Sequence, residues 1–254
     1  MPDLGAPHVA VLLVAAFLAG AVNAVAGGGS LISFPALLLT GYGALAANVT
    51  NTVALLPGYL GGSLAYRPEL SGQAIRVRYL GLVGAAGAVA GAAGLVAGPA
   101  TLFSRIVPWL ILLGCALMAL QSPLQAAVRG RHRRDRPDHR SPPLLLADLV
   151  CGAYGAYFGA GLGVLVLAML GIFLSDTLQR LNALKGVLSL VVNGVAAAYF
   201  IGLGPVAWRP VAIMAPAAVA GGSLGVGVAR RLGERLLRVL VILFGTAVAI
   251  RLLV

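Results

Sequence analysis

Eight apolar stretches, separated by short polar segments, follow one another along this 254-residue chain. An α-helix of about 20 residues crosses the ~30 Å hydrocarbon core of a bilayer, and six of the eight stretches have about that length. The other two, residues 9–40 and 144–174, are too long for a single straight crossing. The pattern predicts an all-α, polytopic membrane protein. The six shorter stretches are residues 44–66, 77–98, 104–121, 181–201, 209–228 and 235–254.

Each long stretch is interrupted near its middle by glycines. Glycine readily adopts backbone conformations that end a helix. Inside a bilayer, the freed backbone groups are tolerated only where protein or a water-filled cavity surrounds them. We therefore predict that stretches one and five are broken helices or re-entrant hairpins, each with two arms. The interrupting glycines are Gly27, Gly28 and Gly29 in stretch one and Gly159, Gly161 and Gly163 in stretch five.

The same features occur in both parts of the chain, which indicates an internal duplication. Four apolar stretches precede a basic segment and four related stretches follow it. Such duplications are common in secondary transporters. We predict a first transmembrane repeat over residues 1–121, a basic cytoplasmic linker over 122–143 and a second transmembrane repeat over 144–254. The glycines that recur are Gly20, Gly27 and Gly29 in stretch one, matching Gly152, Gly159 and Gly161 in stretch five.

The basic residues indicate the topology, because cytoplasmic loops of membrane proteins are enriched in Lys and Arg. If stretch five is a hairpin, 15 of the 18 basic residues lie on the linker side, against 11 if it crosses once. The positive-inside rule therefore favours the hairpin, and the duplication extends it to stretch one, so that the two repeats are inverted. The N-terminal segment lacks Lys and Arg, so we expect stretch one to be retained rather than cleaved as a signal peptide.

Composition excludes most other classes of protein. Hydrophobic residues make up 60% of the chain and charged residues 10%, against about 25% charge in a soluble domain. The net charge of +11 fits membrane orientation and contact with anionic lipids rather than nucleic acid. The sequence has no phosphate-loop, HExxH or GxSxG motif, and its two cysteines lack CxxC spacing. We expect no enzyme activity, no metal site and no cofactor.

The interrupted helices are the first candidates for binding. Where a helix restarts inside a membrane, its first N–H groups have no intrahelical partner and its dipole places about half a positive charge there. Such an end attracts anions, and glycine lets a ligand approach the backbone. We expect the second arms to begin near Ser30 and Val164 and to aim both ends at one buried anion site. Helix packing is the alternative role of the glycines.

Polar residues inside the apolar stretches extend this candidate site, since each needs a hydrogen-bond partner or a wet cavity. The i, i+3 and i+4 spacing of several places them on one helical face. Interhelical hydrogen bonding or helix capping is their alternative role. The candidate substrate-binding residues are Asn23, Gly27, Gly28, Gly29, Ser30, Asn48, Thr50, Asn51, Gly159, Gly161, Gly163, Asn182, Lys185 and Asn193.

Three charged residues have separate expectations. Lys185 is the only lysine in the chain, and it could neutralise an anion, extend to the headgroups or pair with an acid at a helix start. Asp176 and Gln179 have the spacing of a capping box, which favours a helix cap. Asp148 lies near the start of stretch five, where we expect it at the membrane interface, with a protonatable role in coupling as the alternative.

The glycine-rich opening, the two Asn-containing segments and the second glycine run form a set that extends over nearly the whole chain. The segments are residues 17–30 with Pro35, residues 47–51, 159–163 and 180–185, and Asn193. This set resembles the TauE/SafE sulfite exporter family. The resemblance implies an integral cell-membrane permease for small anions, with sulfite and organosulfonates as representative substrates and an ion gradient as the driving force. An anion channel, a non-transporting scaffold that binds a partner or anionic lipid, and a homo-oligomer are left open.

Overall fold

The computed structural model describes residues 4–25, 27–65, 67–130, 140–232 and 234–253, which fold into ten α-helices and one 3₁₀ turn. All eight apolar stretches form helices, which confirms the all-α, polytopic fold class. The helices are α1 (Ala6–Val25), α2 (Ser30–Leu39), α3 (Ala44–Ala65), α4 (Ala74–Ala97), α5 (Ala100–Gly130), α6 (Pro142–Tyr157), α7 (Leu162–Phe173), α8 (Leu178–Leu203), α9 (Trp208–Leu232) and α10 (Glu234–Leu253), and the 3₁₀ turn is Arg67–Leu70.

Both long stretches are interrupted at their glycines, as predicted. The first break, residues 27–29, separates α1 from α2, and the second break, residues 158–161, separates α6 from α7. α2 begins at Ser30, as expected, whereas α7 begins at Leu162 rather than Val164. Each long stretch therefore consists of a long arm followed by a short arm.

The first arms of the two stretches end with the same backbone geometry. Gly27 has a φ of 82° and Gly159 a φ of 77°, in the left-handed region that favours glycine. The Gly27 N–H donates to the Val22 carbonyl oxygen at 3.0 Å, and the Gly159 N–H donates to that of Tyr154 at 3.1 Å. Such hydrogen bonds end a helix in a Schellman-type cap. This shared requirement explains why glycine recurs at equivalent positions of the two stretches.

Both ends of the α6–α7 hairpin lie at the same end of α4. Arg140, before α6, donates to the Tyr79 hydroxyl at 2.7 Å, and its guanidinium lies 4.5 Å from that ring centre. Asp176, after α7, pairs with Arg76 at 2.6 Å. Arg76 and Tyr79 belong to the first two turns of α4, so the hairpin returns to the end of the bundle from which it started. We call this end the Asp176 face.

The opposite end of the bundle, the Tyr42 face, contains the α2–α3 loop and the α8–α9 loop. Near the start of α3, the Thr50 hydroxyl accepts a hydrogen bond from the Ala207 N–H at 2.9 Å. A methyl group added at Gly204, after α8, would lie 3.0 Å from Val49 Cγ1. The start of α3 therefore lies beside the end of α8. A cavity of about 280 Å³ here is lined by Gly41, Tyr42, Gly43, Ala46, Pro205, Val206 and Ala207.

Small residues let helices from the two halves of the chain approach closely. A methyl group added at Gly87 of α4 would overlap the Leu149 carbonyl oxygen of α6, and one added at Gly221 of α9 would overlap the Phe17 carbonyl oxygen of α1. Backbones in such contact are typical of small-residue packing between membrane helices. Gly87 and Gly221 therefore serve helix packing.

The helix contacts divide most of the bundle into two units. α1, α2, α3 and α9 form the α1 unit, and α6, α7, α8 and α4 form the α6 unit. The main contacts of one unit have counterparts in the other, since α1 packs on α9 as α6 packs on α4. α5 packs against α10 and also contacts α7, while α10 contacts α2. The units thus differ from the predicted repeats, because α4 packs in the α6 unit and α9 packs in the α1 unit.

The outside of the bundle suits a membrane. By length and composition, four helical segments in the described part of the chain could cross one: Ala6–Ala24, Ala74–Ala97, Ala100–Ala126 and Leu178–Leu203. Large apolar side chains lie on the perimeter, where Val14, Leu82 and Leu243 are each at least 60% exposed. Extensive exposed apolar surface of this kind indicates contact with lipid or protein rather than water.

The predicted linker differs from the structure at its beginning. α5 continues past residue 121 to Gly130, so the first part of the predicted linker, residues 122–143, is helical. Gln125 and Ala126 in this segment are good helix formers, and a helix does not have to end where the apolar residues end. The arginines at 131–136 lie outside the described residues.

Candidate functional site

The two interrupted stretches are in backbone contact with each other. A methyl group added at Gly163 would lie 3.2 Å from the Gly27 Cα, and one added at Gly27 would lie 3.1 Å from the Gly163 Cα. Because α2 and α7 begin within a few residues of this contact, their N-termini lie in the same part of the bundle. We call this place the break contact. The geometry agrees with the predicted convergence of the two short arms.

The starts of the short arms have matching hydrogen bonds. The Ile32 N–H donates to the Gly29 carbonyl oxygen, and the Val164 N–H donates to that of Gly161, both at 2.9 Å. The N–H of Gly29 donates to Asn23 Oδ1 at 2.7 Å. Asn23 therefore connects the last turns of α1 to the start of α2. A helix start carries about half a positive charge, so two such partial charges lie near the break contact.

Lys185 adds a full positive charge beside these helix starts. A methyl group added at Gly163 would lie 3.7 Å from the Lys185 Cδ. Lys185 is half-buried on α8, and the half-buried Asn182 precedes it by one turn on the same side of the helix. The Lys185 side chain thus lies along the beginning of α7, where an anion could be neutralised.

Asparagines on α3 extend the polar surroundings of the second break. The Asn48 side-chain amide donates to the Tyr157 carbonyl oxygen, the last residue of α6, at 3.0 Å. Asn51 is 2% exposed, and among the described residues its Oδ1 has no hydrogen-bond partner. A buried amide oxygen without a partner is costly, which favours a bound water or ligand there.

Other candidate residues are already hydrogen-bonded or lie farther away. Thr50 accepts from the Ala207 N–H on the Tyr42 face, so its hydroxyl holds α3 against the α8–α9 loop. The Asn193 amide donates to the Ser189 carbonyl oxygen at 2.8 Å, and Asn193 lies about 12 Å along α8 from Lys185, at 1.5 Å per residue. Ser30 is half-buried at the first position of α2.

α5 packs against both breaks, which the sequence did not predict. A methyl group added at Gly28 would overlap the Met118 sulfur, and one added at Gly161 would lie 3.2 Å from the Leu117 Cβ. Gly28 and Gly161 therefore serve close packing against α5. The sequence feature that could have indicated this packing is Gly114, one turn before Leu117 and Met118 on α5. A glycine within an apolar helix leaves space for a neighbouring helix.

Asp148 is buried, which corrects its expected position at the membrane interface. Its side chain is 2% exposed, and its Oδ2 has no hydrogen-bond partner among the described residues. A methyl group added at Gly84 of α4 would lie 3.5 Å from both Asp148 Oδ2 and Val192 Cγ2 of α8. The expectation failed because α4 and α8 cover the first turns of α6.

Asp176 is the centre of an ionic cluster rather than a capping residue. It pairs with Arg76 at 2.6 Å and with Arg180 at 2.9 Å. Burial on its own would raise the pKa of Asp176, but hydrogen bonds from Arg76, the Thr177 N–H and Arg180 hold that pKa below its usual value. Thr177 is the N-cap of α8, and its hydroxyl accepts from the Arg180 N–H at 3.4 Å.

Comparison with known proteins gives consistent matches over the whole chain. It is 32% identical to the probable membrane transporter protein ORF9 of Sinorhizobium sp, over 100% of this chain and 95% of that protein. It is 26% identical to a probable membrane transporter protein of Haemophilus influenzae, over 95% and 92% of the two chains. It is 24% identical to the probable membrane transporter protein YfcA of Escherichia coli K12, over 96% and 88%. No solved structure matches the chain.

A family model identifies the group to which these proteins are related. The model for the sulfite exporter TauE/SafE matches residues 12–252, from the middle of α1 almost to the end of α10. The names of the family and of the relatives describe membrane transporters and not enzymes, in agreement with the sequence-based expectation. The chain therefore belongs to the TauE/SafE sulfite exporter family.

Proposed function

We propose that this protein is a secondary transporter that moves small anions across the cell membrane by alternating access. The observation that carries the proposal is the meeting of two helix N-termini, those of α2 and α7, where Gly27 contacts Gly163. One N-terminus comes from each repeat, so the anion site lies between two related parts of the protein. Secondary transporters built from repeats bind their substrates at such places.

The break contact offers an anion several sources of positive potential. A helix start contributes about 0.3–1 kcal/mol at an exposed site and up to about 2 kcal/mol where it is partly buried. Lys185 supplies a full charge, and hydrogen bonds to charged groups contribute about 1.5–3 kcal/mol each. Asn23 and Asn48 hold the surrounding backbone in place.

The proposed cargo is a sulfur-containing anion such as sulfite or an organosulfonate. In both, three oxygens surround the sulfur and can accept hydrogen bonds from several donors at once, which suits paired helix starts. The description of the family supports a sulfur anion. The names of the relatives specify a membrane transporter without a substrate.

We further propose a multi-pass topology with the Asp176 face in the cytoplasm. Arg76, Arg140 and Arg180 lie on that face, as do the C-terminal ends of α5 and α9. The Tyr42 face has Arg209 at the start of α9. The positive-inside rule therefore orients the Asp176 face inward.

Exchange in proteoliposomes tests the proposed function. Vesicles loaded with unlabelled sulfite are placed in a trace of labelled sulfite, and protein-free vesicles measure passive leakage. We expect saturable uptake of label that depends on internal sulfite, because labelled and unlabelled anions use one alternating site. Uptake that is independent of internal sulfite would indicate a channel. Protein that carries neither sulfite nor an organosulfonate would fit a scaffold, and either result contradicts the proposal.

Replacement of Lys185 by methionine is expected to weaken anion binding. Methionine keeps much of the apolar side chain but removes the charge, and a lost charged contact of about 1.5–3 kcal/mol raises the half-saturating sulfite concentration by roughly 10- to 150-fold. Lys185→Arg, which keeps the charge, should retain most of the affinity. The measurement is sulfite exchange per amount of reconstituted protein. Arg105→Gln, at an exposed position near the start of α5, is the matched control. Equal affinity in K185M and wild type would exclude Lys185 from the site.

A further inference from the structure

We propose that Asp148 is the group whose protonation is coupled to anion transport. The inference rests on the proposed function, and it assigns the coupling ion and the residue that carries it. Asp148 lies in α6, outside the break contact, and it is not one of the groups proposed to bind the anion.

Asp148 is a buried carboxyl group with an unused oxygen. The side chain is 2% exposed, and Oδ2 has no hydrogen-bond partner among the described residues. An ionised carboxylate in such surroundings is strongly disfavoured unless it is paired. Ionisable groups inside membrane segments commonly mark proton or ion pathways. Asp148 therefore favours the protonated form in this conformation and can release the proton when its surroundings change.

The immediate neighbours of this carboxyl group favour a proton over a metal cation. They include the backbone of Gly84 on α4 and the side chain of Val192 on α8. A hard metal cation needs several oxygen ligands, and backbone carbonyls within helices are already hydrogen-bonded. A proton needs one carboxyl oxygen and no further ligand.

Other titratable and charged groups lie on the three helices around Asp148. Cys151 is one turn away on the same helix, α6, and is buried. Arg76 at the start of α4 is paired with Asp176. The remaining groups on these helices are Arg78 and Tyr79 on α4, Tyr154 and Tyr157 on α6, and Arg180, Lys185 and Tyr199 on α8.

α8 connects Asp148 to the anion site. Lys185, Ser189 and Val192 have i, i+4 and i+7 spacing, which places them along one side of the helix. Val192 lies beside the carboxyl group at Gly84, and Lys185 lies beside Gly163. Between them, Ser189 is 4% exposed, and its hydroxyl has no hydrogen-bond partner among the described residues. A line of residues on one helix thus joins the proton site to the break contact.

The electrostatics fix the sign of the coupling. Seven residues of α-helix separate Val192 from Lys185, a rise of about 10 Å. At that distance and an effective dielectric constant of about 20, a negative charge on Asp148 would weaken anion binding at Lys185 by roughly tenfold. Protonation of Asp148 therefore favours anion binding, and by linkage the anion favours protonation. A proton and an anion bind cooperatively.

The Asp148→Asn variant separates coupling from exchange, because asparagine resembles the protonated carboxyl group and does not titrate. External pH and labelled sulfite are held constant while the internal pH of the proteoliposomes is varied, so that the supplied sulfite is ionised equally in every sample. We expect wild-type sulfite accumulation to change by up to about tenfold per pH unit of gradient for one coupled proton. D148N should retain sulfite exchange and lose this response. Glu69→Gln, which removes an acid in the 3₁₀ turn, is the control and should behave as wild type.

The outcomes distinguish this inference from the proposed function. Wild-type protein without any sulfite exchange contradicts the proposed function itself. Wild-type exchange without a response to the pH gradient, or a full response in D148N, overturns the role of Asp148 alone. Should D148N lose exchange as well, infrared difference spectra decide. A protonated-carboxyl band that responds to the pH of the medium and is absent from D148N supports the inference, and the lack of such a band overturns it.

Discussion

Asn23 illustrates how single residues prepare the proposed anion site. Its side-chain oxygen accepts the Gly29 N–H at 2.7 Å, at the start of α2. That hydrogen bond uses one N–H that would otherwise be unpaired at the helix start, and it fixes the direction in which α2 leaves the first break. Asn23 thus caps α2, and in the proposed site it also lies beside the anion. Two substitutions can separate these roles.

Asn23→Ala should lower stability, and Asn23→Asp should lower anion affinity. Alanine removes the cap, at a cost of about 0.5–2 kcal/mol. Aspartate keeps an oxygen acceptor for the Gly29 N–H but places a negative charge beside the anion. Thermal unfolding in detergent and sulfite exchange measure the two effects. An alanine variant as stable as wild type would contradict the cap, and an aspartate variant with unchanged affinity would place the anion elsewhere.

The sequence could predict which residues are polar within the membrane but not their partners. Thr50 was a candidate for the site, yet its hydroxyl accepts a hydrogen bond from the Ala207 N–H, 157 residues away. Asp148 was expected at the interface because it follows a basic segment, but α4 and α8 enclose it. Tyr154, whose hydroxyl donates to the Ala160 carbonyl oxygen at 2.6 Å, was not considered. Such partners depend on tertiary contacts, which spacing along one helix does not determine.

The elements were more predictable than these contacts, because segment length and glycine position depend on local physics. The interruptions at residues 27–29 and 158–161 follow from stretches that are too long for a bilayer and from glycines with left-handed φ angles. The resulting arms, α2 with 10 residues and α7 with 12, are too short to be stable as isolated helices. They depend on their surroundings, and Asp176 supplies one such support at the end of α7.

Asp176→Asn is expected to loosen the α7–α8 loop from α4 and to lower the melting temperature by a few degrees at neutral pH. Since the folded-state pKa of Asp176 lies below its usual value, its contribution to stability is present above the unfolded-state pKa of about 3.9 and is lost as the pH falls through the lower folded-state pKa. The difference from wild type should therefore shrink in acid. Melting curves at neutral and acidic pH measure it, with Arg78→Gln as an exposed control on α4. A difference that is independent of pH would assign the loss to packing instead.

At the scale of the whole molecule, the units that pack together are not the halves of the sequence. α9 belongs with α1 and α3, and α4 belongs with α6 and α8. The simplest expectation from a duplicated chain is that one half rocks against the other. Under the proposed alternating access, we expect the α1 unit to move against the α6 unit, across the α3–α8 packing, the break contact and the Asn48–Tyr157 hydrogen bond. Each unit therefore contains helices from both halves of the sequence.

Covalent cross-links can test which contacts change during transport. Val49 of the α1 unit lies close enough to Gly204, at the end of α8, for a disulfide in V49C/G204C, since a Cβ at Gly204 would be 3.0 Å from Val49 Cγ1. Tyr79 lies on α4 and Arg140 directly precedes α6, so both belong to the α6 unit or its edge. Their exposed side chains are in contact, and a short bismaleimide can therefore link the cysteines of Y79C/R140C. The native cysteines are first replaced by alanine.

We expect oxidation of V49C/G204C to stop sulfite exchange and reduction to restore it, because the disulfide ties the two units together on the Tyr42 face. The cross-link in Y79C/R140C should leave exchange unchanged, because α4 and α6 move as one body. If instead the sequence halves rock against each other, both cross-links join the moving parts, and Y79C/R140C becomes inactive as well as V49C/G204C. Exchange that continues in both cross-linked proteins would exclude rigid-body motion between these units, so that alternation would have to come from the short arms α2 and α7 alone.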